Sequence, residues 1–453
     1  GLDNVYFDTS AICEPEPFEA ILNVFGPTHL LFGSDFCVSE MRSRCVSLGD
    51  GFLWLNELEA DFGCSRFAQP TLVGLESLLA LKQACANQHL TDRDIEEVFC
   101  HAARRLLDLP PTQQPTNVQA AYREARQIIP GGTQLLSKRP EMFAPDRWPA
   151  YYREARGCEV IDIEGRRYID MSLGGILACI LGFSDPDVNA AVIRRVQLGS
   201  MATLQTYDEV ELAKLLLEIH PWAQQARFTR GGGESMAVAV RIARAFTGRD
   251  AIALCGYHGW HDWYLAANLT VPGGVSGDSL AGHLLPGLEP HGVPIGLAGT
   301  IHTFHYNRLD ELDAILTRHS QELAAVVMEP TRSADPEPGF LEGVRKRCDL
   351  YGIPLVFDEI SSGWRNCLGG AHRTFGVDPD LCVFAKALGN GFPIGAVIGR
   401  HNVMQAAQST FISSTFWTEG IGPAAALACV RKQMQCDVPE HLARIGSLVI
   451  AGW

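Results

Sequence analysis

The chain has 453 residues, of which 47% are hydrophobic and 20% are charged, and its formal net charge is −15. This profile is typical of a globular protein with two or three domains. The excess of acidic residues argues against a nucleic acid or an anionic membrane as the partner, since binding to phosphates requires clustered lysine and arginine.

Cysteine usage and the lengths of the apolar runs bear on the cellular compartment. The sequence has 14 cysteines, and none of them form a CxxC pair. A chain of this length does not need disulfides for stability, so the pattern predicts reduced thiols in a cytosolic protein. Apolar runs such as residues 176–183 are much shorter than a membrane-spanning helix of about 20 residues. We therefore expect a cytoplasmic protein without a membrane partner.

The sharpest change in composition along the chain is the stretch DLPPTQQPTN, which contains three prolines and shows no hydrophobic periodicity. Such a stretch predicts a linker, here at residues 110–116, between a first segment (1–109) and a second region (117–453). In the first segment, the pattern predicts strands at 4–7 and 29–32, followed by helices.

The second region alternates apolar strands with amphipathic helices. Strands are predicted at 250–257, 323–330, 353–360, 381–386 and 394–399, with helices between them such as 234–246 and 339–351. Near-continuous apolar strands that alternate with helices predict an α/β fold, in which helices cover both faces of a mostly parallel sheet. Ligands of such sheets bind beyond the carboxyl ends of the strands, so polar residues at those ends are candidates for a site.

Two ionisable residues lie near the ends of predicted strands. Lys386 is the one lysine of the stretch LCVFAKALGNGFPIGAVIG, and it either reaches solvent or is an amine that must lose its proton to act as a nucleophile. Asp358, in PLVFDEISSGW, either caps a turn or is a buried acceptor for a protonated ring nitrogen or a metal. If the strand continues, Glu359 points to the opposite side, so the two acids do not form a natural pair of ligands.

A run of glycines precedes a predicted helix in the stretch FTRGGGESMAVAVRIARAFTGR. Gly231, Gly232 and Gly233 would allow the backbone to approach a phosphate at the start of a helix near Glu234, although a plain flexible loop is the alternative. The sequence contains no GxGxxG motif, and no Walker lysine follows the glycines. Dinucleotide and ATP binding are therefore disfavoured.

Aromatic and histidine residues cluster in the stretch CGYHGWHDWY. Tyr257 follows a predicted strand and could stack on a planar ligand. His258, His261 and Asp262 have a spacing that metal ligands can show, but no further cluster completes a set, so we predict no metal.

One cofactor requires all four of these features in its binding site: a nucleophilic amine, a carboxylate for a ring nitrogen, a phosphate-binding glycine run and an aromatic side chain over the ring. Each feature has an ordinary explanation when taken alone. All of them at strand ends in one α/β region predict pyridoxal 5′-phosphate.

Residues 127–427 resemble the class III, fold type I pyridoxal-phosphate aminotransferases, and most closely the branch of glutamate-1-semialdehyde aminomutase and its relatives. The stretches that carry the resemblance are IIPGGTQLLSKRPEMF, GCEVIDIEGRRYIDM, ARAFTGRDAIALCGYHG, EPTRSADPEPGFLEGVRKRCDLYGIPLVFDEISSGWR and DLCVFAKALGNGFPIGAVIG. The resemblance implies a mostly parallel seven-stranded sheet. It also implies an aminotransferase that moves an amino group between a small-molecule amine and a carbonyl acceptor through a lysine Schiff base.

The resemblance also implies roles for individual residues. Lys386 would be the Schiff-base lysine and proton shuttle, and Asp358 would pair with the pyridine nitrogen. The further cofactor contacts that it implies are Gly231, Gly232 and Gly233 at the phosphate, Tyr257 above the ring with His258 beside it, Ile360 below the ring, and Thr418 at the phosphate of a neighbouring subunit. A homodimer with shared active sites follows from the last assignment.

Substrate contacts are implied at Ser137 and Arg139, with Arg332 and Arg365 as further candidates. Gly231 and Gly233 flank the central glycine of the phosphate cradle, where the family usually has hydroxyl residues, and the loop that carries Thr418 also differs from its form in the aminomutase. These departures favour a relative with another substrate over the aminomutase itself. An intramolecular aminomutase stays open as the alternative. The family continues into a C-terminal small domain, of which we expect only residues 424–453 in this sequence.

The first segment resembles the last strands and terminal helices of an amidohydrolase-type (β/α)8 barrel, through the stretches VYFDTSA and LLFGSDF. Asp35 matches the metal-associated catalytic aspartate of that family. A barrel needs roughly 200 residues or more, and the sequence has no HxH pair. We therefore expect a partial barrel fragment without a hydrolytic site, and a metal-dependent hydrolase is the rival interpretation.

Overall fold

The computed structural model of the chain describes residues 4–33, 36–48, 51–56, 72–108, 117–171, 174–269 and 290–452. The chain divides into two compact units, Gly1–Gln114 and Pro115–Trp453. Asp35, the aspartate of the amidohydrolase resemblance, lies outside the described residues. No helix within the described ranges is long and apolar enough to cross a membrane.

The first unit combines short strands with helices. Its strands are β1 (Phe7–Asp8), β2 (Leu30–Leu31), β3 (Ser43–Leu48) and β4 (Gly51–Asn56), and its helices are α1 (Pro15–Phe25), α2 (Phe36–Ser39), α3 (Val73–Asn87), α4 (Asp92–Glu96) and α5 (Ala102–Leu106). A π-helical turn, Glu97–His101, joins α4 to α5.

The strands of this unit pair in two ways. β1 and β2 pair in parallel on either side of α1, as a βαβ connection requires, whereas β3 and β4 form an antiparallel hairpin. The prediction of only helices after the second strand was wrong, because the hairpin lies there. The two residues between these strands in the sequence are Gly49 and Asp50, and a Gly-Asp pair between two strand-like runs is a signal of a two-residue hairpin turn that was available in the sequence. The identity of this unit as a barrel fragment stays a prediction.

The second unit begins with one helix and a small antiparallel sheet. The helix is α6 (Val118–Ile128), and the strands are β5 (Tyr152–Arg156), β6 (Glu159–Asp162) and β7 (Arg167–Ile169). They pair in the order β5-β6-β7.

The rest of the second unit is the α/β region. Its strands are β8 (Gln225–Thr229), β9 (Ala251–Cys255), β10 (Ile301–Thr303), β11 (Leu323–Met328), β12 (Leu355–Asp358), β13 (Leu381–Phe384) and β14 (Gly395–Gly399). Its helices are α7 (Gly174–Leu177), α8 (Pro186–Gln197), α9 (Asp208–Ile219), α10 (Gly232–Thr247), α11 (Asp262–Leu265), α12 (Leu309–His319), α13 (Phe340–Tyr351), α14 (His372–Phe375), α15 (His401–Met404), α16 (Ile421–Cys436) and α17 (Val438–Gly452).

Within the described residues, these strands form a seven-stranded sheet in the order β10-β9-β11-β12-β13-β14-β8. β14 runs antiparallel to both of its neighbours, and the other neighbouring pairs are parallel. Leu355 and Phe357 of β12 pack into one hydrophobic cluster with α9, α12 and α13, whereas Val356 packs into another with α10. Helices therefore cover both faces, and the predicted α/β fold is confirmed.

The five predicted strands correspond to β9, β11, β12, β13 and β14, and no strand was predicted at β8 or β10. These two strands form the edges of the sheet. β10 has only three residues, and β8 reads QARFT, in which polar side chains interrupt the apolar pattern. Edge strands need less apolar sequence because one side has no neighbouring strand, so an apolar run predicts the centre of a sheet better than its edges.

Candidate active site

A cavity of about 450 Å³ lies at the carboxyl ends of β8, β9, β12 and β13. Parallel strands bring their carboxyl ends to one edge of the sheet, which is why residues far apart in sequence meet there. The cavity brings together most of the site residues predicted from the sequence: Lys386, Asp358, Ile360, Tyr257, His258, Gly231, Gly232 and Gly233.

Lys386 lies two residues beyond β13 and adopts a left-handed conformation, with φ at +44°. Its Nζ donates a hydrogen bond to Ser361 Oγ at 2.6 Å. Burial lowers the pKa of the Lys386 amine, and the nearby positive charge of Arg365 lowers it further, while Asp358 acts in the opposite direction. The amine therefore loses its proton more readily than an exposed lysine does, as a nucleophile requires.

Asp358, the last residue of β12, is 3% exposed and pairs with His258. The distance from His258 Nδ1 to Asp358 Oδ2 is 2.7 Å, and His258 Nε2 lies 3.0 Å from the carbonyl oxygen of Cys255. A carbonyl oxygen can only accept, so Nε2 donates this hydrogen bond, and Nδ1 forms the hydrogen bond with the carboxylate. The backbone N–H of Ile360 donates to the other oxygen, Oδ1, at 2.9 Å. These donors hold the carboxylate at the cavity wall.

The start of α10 forms another part of the cavity wall. Gly231 is the N-cap and the helix begins at Gly232, two residues earlier than predicted. A Cβ atom on Gly232 would lie 3.1 Å from the side chain of Ile360, and one on Gly233 would lie 2.5 Å from the ring of His261. Only glycine fits at Gly233 without a shift of its neighbours. The first N–H groups of a helix have no acceptor within the helix, so they are available to an anion.

Glu329 follows β11 and supports the backbone beneath Tyr257. Its Oε2 accepts a hydrogen bond from the backbone N–H of Tyr257 at 3.0 Å. Burial raises the pKa of the Glu329 carboxyl, and the negative charge of Asp358 raises it further. The sequence analysis gave Glu329 no role in the site.

A second cavity of about 600 Å³ shares Tyr257 and Ser361 with the first, and its lining includes Arg332 and Arg365. Arg365 donates from Nε to the carbonyl oxygen of Ser361 at 2.7 Å, and its Nη2 donates to the carbonyl oxygen of Leu177. Burial lowers the pKa of the Arg365 guanidinium. In the described part of the chain, no ion pair joins Arg365 to a carboxylate, whereas Arg332 lies 3.6 Å from Glu329 Oε2.

Three of the predicted site residues line neither cavity within the single chain. Ser137 is exposed in a 3-10 turn, Leu136–Lys138, and Arg139 follows that turn. Thr418 ends another 3-10 turn, and its buried Oγ1 has no hydrogen-bond partner among the described residues. The roles of these three residues stay predictions.

The sequence reasoning missed Ser361 and Trp260, which both line the first cavity. Ser361 lies three positions after Asp358 and Trp260 lies three positions after Tyr257, so each belongs to a turn that the sequence had already marked. Proximity to a predicted site residue was the available signal, but the direction of each side chain depends on how the turn folds back.

The residues around the first cavity fit pyridoxal 5′-phosphate. The start of α10 offers backbone N–H groups without side chains in the way, as a phosphate requires. A buried carboxylate and a lysine whose pKa is lowered line the same cavity, and they match a ring nitrogen and an aldehyde.

A family model described as aminotransferase class-III matches residues 143–452. The 3-aminobutyryl-CoA aminotransferase of Cloacimonas acidaminovorans is 35% identical over 317 residues, which cover 68% of this chain and 71% of the relative. The glutamate-1-semialdehyde 2,1-aminomutase of Syntrophobacter fumaroxidans is 35% identical over 332 residues, which cover 71% of this chain and 73% of that protein.

Solved structures with the same fold include an omega-transaminase from Sphaerobacter thermophilus. It is 31% identical with a TM-score of 0.61, and the match covers 71% of this chain and 74% of that one. A transaminase with PLP bound is 27% identical with a TM-score of 0.61, and the match covers 69% of this chain and 72% of the other.

Proposed function

The chain belongs to the class-III aminotransferase family, and from that premise we propose that Lys386 is its reactive amine and Asp358 the carboxylate that keeps the cofactor ring protonated. Its cofactor is pyridoxal 5′-phosphate, and its reaction is the transfer of an amino group. The observation that carries the residue assignment is the convergence of Lys386, Asp358 and the start of α10 on one cavity.

When bound, pyridoxal phosphate supplies an aldehyde and an electron-withdrawing ring. The N-terminus of α10 would hold its phosphate, and Asp358 would hold its ring nitrogen. Tyr257 and Ile360, which line the same cavity, would enclose the two faces of the ring. Lys386 would meet the aldehyde.

The chain's own residues control where protons lie. His258 is anchored by its bond to the Cys255 carbonyl, and it supports Asp358 as a hydrogen-bond acceptor at the cavity wall. Ser361 Oγ accepts from Lys386 Nζ and thereby fixes the position of the amine. A neutral amine held in this way can accept a proton from a substrate carbon and return it to a neighbouring one.

We propose that the second cavity receives a carboxylate-bearing substrate and that Arg365 is its anchor. Arg365 is half-buried and forms no ion pair with a carboxylate among the described residues, so an anion beside it would offset the desolvation cost of its charge. Arg332 is less suited, since its charge already faces Glu329. An amino acid and a keto acid, rather than simple amines, are the substrate class that this arrangement favours.

An intramolecular aminomutase is the second candidate, supported by the relatives of that name. The two reactions differ in their products. An aminotransferase releases a carbonyl product from its first substrate, whereas an aminomutase returns an isomer of that substrate. Analysis of the products formed from a single added amine therefore separates the two.

The test of the site assignment is borohydride reduction of the holoenzyme followed by peptide mapping. We expect the cofactor on Lys386, and we expect Lys386→Ala to abolish both the attachment and the amino-group transfer. Lys346→Ala, on the exposed face of α13, is the matched control and should retain both. A label on another lysine would contradict the assignment.

We further propose a homodimer in which Thr418 serves the partner's active site. Apolar side chains flank the loop that carries Thr418: Leu204 is 79% exposed and Phe416 is 64% exposed. Met201 pairs with Glu419, which places these segments side by side. A second copy would cover this surface and provide a partner for the Thr418 hydroxyl.

Mixing two inactive or weakened variants tests this arrangement. Lys386→Ala and Thr418→Ala subunits are refolded together and compared with each variant alone. If Thr418 acts across the interface, the mixed dimer contains one intact site and regains activity. No recovery, or a monomeric mass by light scattering, would overturn the proposal.

Cytoplasmic location and the amidohydrolase-like origin of residues 1–109 stay predictions.

A further inference from the structure

We propose that the two neighbours of Thr418 are fastened to the start of α10, and that these contacts set the position in which Thr418 reaches a cofactor phosphate. The inference rests on the phosphate role of Thr418 proposed above. Thr418 ends a 3-10 turn, and its neighbours in the chain are Trp417 and Glu419. Each neighbour contacts a residue that directly flanks the glycine run 231–233.

The first contact joins Glu419 to Arg230, which precedes the glycines. Arg230 Nε lies 2.6 Å from Glu419 Oε1, and Arg230 Nη2 donates to the carbonyl oxygen of Glu419 at 2.8 Å. The two side chains are only 15% and 17% exposed, so salt screens this ion pair less than it screens a surface pair. Arg230 also lines the first cavity. The contact therefore holds the Thr418 turn at the edge of the proposed cofactor site.

The second contact joins Trp417 to Glu234, which follows the glycines. Trp417 Nε1 donates to Glu234 Oε1 at 3.2 Å, and Glu234 Oε2 accepts from the backbone N–H of Arg230 at 2.7 Å. Glu234 lies in the first turn of α10, where the helix dipole stabilises a negative charge. The guanidinium of Arg227 lies over the Trp417 ring, 5.7 Å from its centroid. Trp417 is thus held by its indole N–H and by its ring.

Glu419 connects the turn to α16 as well. Its Oε2 accepts from the backbone N–H of Ile421 at 2.9 Å, and its Oε1 accepts from that of Gly422 at 3.1 Å. These N–H groups belong to the first turn of α16 and have no acceptor within the helix. One carboxylate therefore binds the start of α16 and the guanidinium beside α10, and the backbone at Thr418 is fixed between them.

The Thr418 side chain differs from its neighbours, because it is not what holds the turn in place. Its Oγ1 is buried and makes no hydrogen bond within the described part of the chain. Buried hydroxyls usually have a partner, so a group from outside this chain fits here. Arg230, Glu234, Trp417 and Glu419, which we call the clasp, are therefore positioning residues. They act on the phosphate through Thr418.

The test is the dissociation constant of pyridoxal phosphate, measured by titration of the full-length apoenzyme. Trp417→Phe removes the indole N–H and keeps a ring, and Glu419→Gln removes the charge that faces Arg230. Each should weaken pyridoxal phosphate about tenfold, within the range of about 5–150-fold that couplings between sites show. Pyridoxal, which has no phosphate, should bind to the wild type and to both variants equally.

Arg431→Gln is the matched control. Arg431 lies on α16 and pairs with Glu211 at 3.2 Å, away from the clasp. Its loss should leave the affinity for pyridoxal phosphate unchanged. Equal weakening by this control, or equal weakening of pyridoxal and pyridoxal phosphate in the clasp variants, would overturn the inference, because either result would indicate a general loss of structure.

A Thr418→Ala background shows whether the clasp acts through Thr418. Thr418→Ala alone should weaken pyridoxal phosphate, and Trp417→Phe should then add little, since two changes that remove one interaction are not additive. Full additivity, or a Thr418→Ala variant with the affinity of the wild type, would contradict the proposed role of the clasp.

Two further measurements keep the outcome clear. The unfolding temperature of each apoenzyme shows that the variant is folded under the conditions of the titration, and Trp417→Phe carries the test if Glu419→Gln does not fold. The borohydride map separates this inference from the site assignment. Cofactor on Lys386 with unchanged affinity in the folded clasp variants would overturn the clasp alone, whereas a label on another lysine would contradict the site itself.

Discussion

Lys386 is surrounded by groups that affect its charge in opposite directions. Burial and the charge of Arg365 favour the neutral amine, whereas Asp358 favours the ammonium form. Burial is the largest of these causes, and the net effect is a lowered pKa of the Lys386 amine. Ser361 links Lys386 to Arg365 through hydrogen bonds. Its side-chain oxygen accepts from Lys386, and its carbonyl oxygen accepts from Arg365.

Arg365→Gln should raise the pKa of Lys386, because it removes a positive charge that favours deprotonation. At a given pH the neutral fraction then falls, and the midpoint for modification moves to higher pH. Reductive methylation of the apoenzyme over a pH series, with quantification of the Lys386 peptide, measures that midpoint. Arg332→Gln is the control, since Arg332 is not among the causes of the Lys386 shift. A midpoint that moves down or stays constant in Arg365→Gln would contradict this account.

The same variant tests the proposed substrate class. Hydrogen bonds to charged groups contribute about 1.5–3 kcal/mol, so Arg365→Gln should raise the KM for a carboxylate substrate by roughly tenfold or more. The KM for an amine without a carboxylate should change little. Binding of a carboxylate without an amino group to the apoenzyme, measured by calorimetry, gives the same comparison without turnover. A uniform change for both substrate types would argue against Arg365 as the anchor.

At the scale of elements, the ends of β12 and the start of α10 shape the cavity together. β12 ends at Asp358, where the Ile360 N–H bond to Oδ1 turns the chain out of the sheet. Ile360 then packs against the start of α10, close enough that a Cβ on Gly232 would lie 3.1 Å from it. Gly232 therefore allows a close approach between two elements, in addition to leaving the start of the helix open to a phosphate.

Gly233→Ala should destabilise the protein, although alanine is the better helix former by about 1 kcal/mol. Its Cβ would lie 2.5 Å from the ring of His261, and overpacking of this kind typically costs about 1–3 kcal/mol. Thermal and denaturant unfolding of the apoenzyme measure the loss.

A double variant separates the contact from other effects of the new side chain. His261→Ala opens the space, so Gly233→Ala should cost much less in that background. Gly231→Ala is the control, because its Cβ would have no atom within 4 Å. Equal losses for Gly233→Ala with and without His261 would show that the contact is not the cause.

At the scale of the whole molecule, every residue that lines the two cavities belongs to the second unit, Pro115–Trp453. A chain of residues 115–453 should therefore fold and take up pyridoxal phosphate. Circular dichroism and the borohydride map described above provide the measurements, with the full chain as the reference. If the full chain carries the cofactor on Lys386 and the shorter chain does not, or if the shorter chain does not fold, residues 1–114 are needed for the site or for folding.

Local patterns determined much of this protein. Apolar runs predicted five central strands of the sheet, and the ends of these strands supplied Lys386, Asp358 and Tyr257. The glycines at the start of α10 were found from the glycine run before a predicted helix. These features are readable because burial on both faces demands a continuous apolar sequence. A phosphate site likewise demands glycine where a backbone must come close.

Only the tertiary structure decided the partners of those residues. Turns and the order of the strands bring together side chains that are far apart in the sequence. Examples are Asp358 with His258, Lys386 with Ser361, and His302 with His319. Likewise, β14 runs antiparallel and β8 and β10 occupy the edges, which no local pattern specifies. Hydrophobic periodicity reports whether a segment is buried, whereas the identity of its neighbours depends on contacts between distant parts of the chain.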